Sequence, residues 1–93
     1  MNDFLVRRRG SLIEAELDGE LIALEVEQGT CFGFNATATR IWALIDTPKR
    51  FSELRDTLLG EYEIDRSTCE QELHELLRTL EADGLVELEP VDR

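Results

Sequence analysis

Two cysteines, one histidine and a run of carboxylates are the residues of this chain whose side chains could do chemistry. Cys31 and Cys69 lie far apart and show no C-x-x-C spacing. A structural zinc site takes four ligands, and adding His74 to two thiols does not reach four. A nucleophile–base pair would need Cys69 and His74 to meet. On a helix at about 100° per residue, five steps set them about 140° apart. The surrounding glutamates read as a solvated helix face, and His74, flanked by Leu73 and Glu75, as a surface histidine. There is no Gly-rich phosphate loop, no G-x-S-x-G and no paired-histidine motif. The residues indicate no catalytic group, no metal site and no cofactor, so the chain reads as a non-enzyme. A thiol-dependent enzyme using Cys31 or Cys69 is the weakest alternative.

Charge narrows the partners. Ten Lys and Arg stand against 21 Asp and Glu, a net charge of −11 over 93 residues. Setting aside Asp3 and Arg7–Arg9 leaves 7 basic and 20 acidic groups, a balance of −13. Nucleic-acid binding needs phosphates neutralised by Lys and Arg, so this balance excludes it. Arg7, Arg8 and Arg9 read as a solvated lead-in to the first strand. No run approaches the roughly 18 apolar residues that span a bilayer, and MNDFLVRRRG has its charges in the reverse order of a secretory signal. The expectation is a single cytoplasmic domain over residues 1–93, with its core in about 11–88, as monomer or weak dimer.

The elements that must position these residues follow from periodicity. LIEAELD alternates Ile13, Ala15 and Leu17 with Glu14, Glu16 and Asp18, the pattern of a strand with one buried face. Asp18-Gly19 suits a type I′ turn. The partner strand Glu20–Val26 then directs Ile22, Leu24 and Val26 inward. Gln28-Gly29 makes a second turn, and Thr30–Phe34 a third strand with Phe32 and Phe34 inward and Cys31 and Gly33 outward.

Asn35 is placed to cap a helix over Ala36–Ile45, which Pro48 helps to end. Ser52 is expected to cap a second helix bearing Leu54, Leu58 and Leu59. Asp65 caps the third, Arg66–Asp83, with Cys69, Leu73, Leu76, Leu77 and Leu80 as one apolar stripe. Gly84 closes it, Leu85–Leu88 forms a short terminal strand, and residues 89–93 fray. This is an α+β domain of winged-helix-like form: a three-stranded antiparallel sheet followed by three helices and a short terminal strand. The third helix sets Arg66 and Arg78 against five carboxylates, so it does not read DNA.

A third strand at a sheet edge is normally protected by charge or proline, and Thr30–Phe34 has neither. Gly33 removes a side chain and permits another backbone to approach. The stripe of Cys69, Leu73 and Leu77 either floors a groove beside that edge or only fills the core. In the first case an extended peptide adds as a strand.

The succession of a strand, a DG turn, a strand, GTCFGFNATATRIWALID and a helix pair ending LEADGLVEL resembles the PqqD-like family over about residues 11–88. Members are peptide chaperones of ribosomally synthesised, post-translationally modified peptide (RiPP) biosynthesis, with a winged helix-turn-helix fold. The resemblance implies that the leader segment of a precursor peptide binds as an added strand between the third strand and the third helix. It also implies delivery to a modifying enzyme or a cysteine leader protease. Carried onto this chain, the peptide-binding residues are Thr30, Cys31, Phe32, Gly33 and Phe34, with Cys69, Glu70, Leu73, His74 and Leu77 opposite. Cys31 stands where the family commonly has a larger or polar residue. Stand-alone members of this length occur in lasso-peptide pathways, the first choice here, and also in quinone-cofactor pathways. The alternative from another class is a winged-helix-like regulatory protein–protein interaction module without DNA binding.

Overall fold

The computed structural model describes residues 3–10 and 12–91. Its elements are β1 (Phe4–Arg8), β2 (Leu12–Leu17), β3 (Glu20–Glu25), β4 (Thr30–Phe34), α1 (Ala36–Leu44), β5 (Lys49–Arg50), α2 (Phe51–Glu61), α3 (Arg66–Ala82) and β6 (Val86–Pro90). The α+β, winged-helix-like order is the expected one, but the strands divide into two antiparallel sheets, β2-β3-β4 and β5-β1-β6.

The second sheet departs from the sequence reading. Arg7 and Arg8 are not a solvated lead-in, because they pair with Glu87 and Val86 across the β1–β6 ladder. Val6 within that strand is wholly buried. Glu89 and Pro90, expected to fray, pair with Leu5 and Phe4; residues 92 and 93 lie outside the described residues. A terminal strand so short gains order only from a neighbour, and β1 supplies one.

Local chemistry accounts for the junctions. Asp18 and Gly19 have φ of 54° and 81°, the two positive angles that a type I′ turn requires. Asn35 accepts the Ala38 N–H at 2.8 Å and starts α1 immediately after β4. Asp65 does the same for α3 through the Thr68 N–H at 3.0 Å. At the far end of α3, Leu85 N–H bonds to Leu80 O and Gly84 N–H to Glu81 O, both at 2.9 Å, a Schellman close with Gly84 at φ 77°. Ser52 does not cap α2. That helix begins at Phe51, and the Asp3 carboxylate accepts both the Ser52 N–H (3.2 Å) and hydroxyl (2.6 Å). A residue 49 positions away in sequence thus satisfies a first-turn donor.

One core joins the layers. Phe34, Ile41, Trp42, Ile45, Phe51, Leu54, Leu77, Leu85, Val6 and Val86 are among its buried members. The first two strands of the meander face opposite to expectation. Leu21 and Ala23 are buried, whereas Ile13 and Leu17 are each 62% exposed and Ile22, Leu24 and Val26 also reach solvent. The reason lies across the ladder: Leu21 pairs with Phe34 and Ala23 with Phe32, so α1 and its tryptophan choose the face. Glu14 lies on that inner face, where its carboxylate accepts the Trp42 indole N–H at 3.0 Å.

Burial pushes the Asp3 carboxyl up, but hydrogen bonds from the Ser52 hydroxyl and N–H and from Phe4 N–H, with Arg50 nearby, outweigh it and hold it below 3.8. A lowered folded-state pKa contributes stability that is complete above the unfolded value and lost as pH falls through the folded value. Asp3→Ala should therefore lower the thermal midpoint by a few degrees at neutral pH, for a loss of about 1 kcal/mol. The gap to the parent should close as pH falls well below 3.8, as read by circular dichroism melts.

Candidate peptide-binding groove

Strand β4 pairs with β3 on one side, and no described strand covers its other edge. The strand holds this edge firmly because of what lies behind it. Phe34 is buried and meets Trp42 edge-on at 5.5 Å between ring centroids. The Thr39 hydroxyl donates to Phe34 O at 3.3 Å and accepts Leu21 N–H at 3.0 Å, fastening α1 to both strands. Cys31 and Gly33 are exposed, and a Cβ built on Gly33 meets nothing within 4 Å. The glycine is therefore not needed for internal packing, and the space beside it is open to another chain.

Between this edge and α3 runs a cavity of about 310 Å³, lined by Cys31, Phe32, Gly33 and Phe34 on one wall and Leu76, Thr79, Leu80 and Asp83 on the other. A second cavity of about 470 Å³ continues it toward the α2–α3 turn, with Leu58, Tyr62, Glu63, Ile64, Cys69, Glu72 and Leu73 on its walls. Both include Asn35 and Leu76, so the two form one groove. The apolar floor and the free backbone edge together suit an extended peptide.

Of the five α3 residues expected to face the groove, Cys69 and Leu73 line it and Glu70, His74 and Leu77 do not. Cys69 and Leu73 line its wider part, 3% and 2% exposed. Leu77 is fully buried in the core. Glu70 turns toward α2, where it meets Arg55 at 3.0 Å, and toward Arg66 at 3.6 Å. His74 packs its ring edge against Phe4 and Phe51 at 6.0 and 6.2 Å. At about 100° per residue, Glu70, His74 and Leu77 lie roughly 100–180° around α3 from the wall of Glu72, Leu76, Thr79 and Asp83. The expected site residues omitted Leu76 and Leu80, which belong to the same apolar stripe and line the groove, and the polar Glu72, Thr79 and Asp83 beside them. Leu77 lies at the edge of the stripe farthest from the groove, within the buried core.

Cys31 and Cys69 are both free thiols. Burial pushes the Cys69 thiol above its ordinary value, and the Glu70 carboxylate raises it further. A thiol raised in this way is a poor nucleophile at neutral pH.

Comparison with known proteins identifies the family. The family model described as Coenzyme PQQ synthesis protein D (PqqD) matches residues 20–86. The chain belongs to the PqqD family. The matched span runs from the start of β3 into β6 and contains both walls of the groove. Among solved structures, this PqqD-family chain is similar to TbiB1 in complex with the TbiA(beta) leader peptide, at 36% identity and a TM-score of 0.79. That match covers 87% of this chain and 94% of the other. It also shares its fold with a lasso peptide synthetase B1 complexed with the leader peptide, at 24% identity, TM-score 0.74, covering 88% and 96% of the two chains. No curated protein sequence matches the chain.

Exposure separates the two cysteines in a measurable way. With a thiol-reactive disulfide at neutral pH, Cys31 should react promptly and Cys69 only after denaturant is added. Equal rates in the folded protein would contradict the burial of Cys69.

Proposed function

We propose that this PqqD-family protein is a non-catalytic binding protein for the leader segment of a ribosomally made precursor peptide. The leader adds as a strand to β4, in the groove against α3, and the protein then delivers it to a modifying enzyme or a cysteine leader protease. The observation that carries this reading is the uncovered β4 edge beside an apolar groove. Its support is the 36% identity to a protein solved with a leader peptide. A lasso-peptide pathway is the first choice, in line with the fold shared with a lasso peptide synthetase B1.

Magnitudes agree with the reading. Each backbone hydrogen bond to the edge contributes roughly 0.5–1.5 kcal/mol net, and each apolar side chain buried in the groove about 1.5–3 kcal/mol. Four or five bonds and two anchors exceed the cost of ordering a flexible peptide enough for roughly micromolar to sub-micromolar binding. The backbone contacts accept any extended chain. The groove walls select.

Delivery needs a surface the leader leaves free. The outer face of β2-β3-β4 carries Ile13, Leu17, Ile22 and Leu24, all exposed, around Ala15. An apolar patch on so acidic a chain suits a protein partner, and it adjoins the Cys31–Gly33 side of β4. The partner enzyme is assigned to this face.

A titration followed by NMR, using the leader of a precursor encoded beside this gene, tests the binding step. The amides of Thr30–Phe34 should shift, together with those around Leu76 and Thr79; no shift in β4 would overturn strand addition. Gly33→Pro should weaken binding at least about 10-fold by removing an edge donor, while Gly33→Ala should fold normally. Ile22→Glu tests delivery. It should leave leader affinity within about twofold yet slow processing by the pathway enzyme about 10-fold or more.

A further inference from the structure

The groove carries a charge pattern that packing does not explain. Its floor is apolar, but Glu63 and Glu72 stand on the wall of the wider part and Asp83 on that of the narrower. No lysine or arginine lines either part among the described residues. Five carboxylates outside the groove are paired: Arg7 with Glu89, Arg8 with Glu14, Arg40 with Glu61, and Arg55 with Asp56 and Glu70. Among the described residues Glu63, Glu72 and Asp83 make no ion pair, although Arg66 on the same helix pairs with Glu70 instead.

Resting on the leader-binding reading above, we infer that the groove selects a leader with basic side chains beside its apolar anchors, met by Glu72 and Glu63 at one end and Asp83 at the other. The physical argument is complementarity. Carboxylates above a low-dielectric floor focus a negative potential into the groove, and the net charge of −11 adds to it at longer range. Lys or Arg next to a buried anchor gains from this potential while its methylenes cover the apolar wall. A neutral peptide of the same shape keeps the backbone bonds and loses the charge contribution. An acidic one meets repulsion at both ends of the strand and is rejected. The edge then supplies affinity for any extended chain, and the carboxylates supply discrimination and a faster encounter.

The test uses the whole protein and synthetic fluorescein-labelled leader from the precursor encoded beside the gene. One form is unaltered, one has each Lys and Arg replaced by Gln, and one has them replaced by Glu. The expected result is a roughly 10-fold weaker dissociation constant for the Gln peptide at low salt, a still weaker one for the Glu peptide, and a gap that narrows at about 0.5 M salt. Glu72→Gln and Asp83→Asn should each weaken the unaltered peptide and scarcely affect the Gln peptide, whereas Glu87→Gln on β6 should leave both unchanged. All three carboxylates are exposed, so circular dichroism should report unchanged folding. If the Gln peptide binds within twofold of the parent, or the parent has no basic residue, the charge inference is overturned and leader binding stands. If no form binds, the leader-binding reading fails and this inference falls with it.

Discussion

The packing of Trp42 against Phe34 is the contact on which the rest of this structure depends. The indole lies edge-on to Phe34 at 5.5 Å, donates its N–H to Glu14 at 3.0 Å, and carries the Arg8 guanidinium 4.4 Å above its ring. Arg8 also donates to the Trp42 carbonyl at 3.2 Å. One side chain therefore ties β4 and β2 of the first sheet to β1 of the second. A buried aromatic of this size removes roughly 150–250 Å² from water, about 4–6 kcal/mol as an upper figure. Domains of this size rest on about 5–15 kcal/mol in all. The two sheets do not share a strand, so this contact and the common core of Val6, Val86, Phe34 and Leu77 hold them in one orientation.

That contact also explains how β4 can be left unpaired along one edge. An edge strand held only by its ladder would twist and sample many shapes. Here Phe34 anchors it from within, and Thr39 bonds to the backbone of Phe34 and Leu21. A stiff edge has already lost the entropy that a peptide would otherwise have to remove on binding. The helix start at Asn35 contributes too, since it turns the chain away immediately after the last strand residue and keeps the groove open.

Much of this was legible in the residues, and the failures have physical causes. The Asp18-Gly19 turn, the β4 strand, the Asn35 and Asp65 caps and the Gly84 close all follow from local chemistry, and they are where local preference suggests. Strand β1 was not legible, because FLVRR has neither clean alternation nor a turn before it. Arg8 looks solvent-bound in sequence, yet a guanidinium can bury its plane on an indole while remaining charged. The facing of β2 and β3 was misread for a related reason. Four consecutive apolar residues, Leu21 to Leu24, suit either face, so the alternation of β2 decided the reading. The face of β2 that looked polar was polar because Trp42 and Arg8 needed an acceptor there.

The same ambiguity shifts the candidate site on α3. A stripe of leucines marks the buried side of a helix but not which of two neighbours it serves. His74 turns to Phe4 of β1 and Phe51 of α2, which receive its ring, and Leu77 is fully buried. Leu76 and Thr79 are left for the groove. This has a consequence for recognition. The buried part of the groove, Cys69 and Leu73, can change only by disturbing the core. Exposed wall positions such as Glu72 and Asp83 can vary while Leu73 and Leu77 hold the fold. An edge that binds any extended backbone needs its selectivity from side chains of that kind, because the hydrogen bonds of a strand carry no information about sequence.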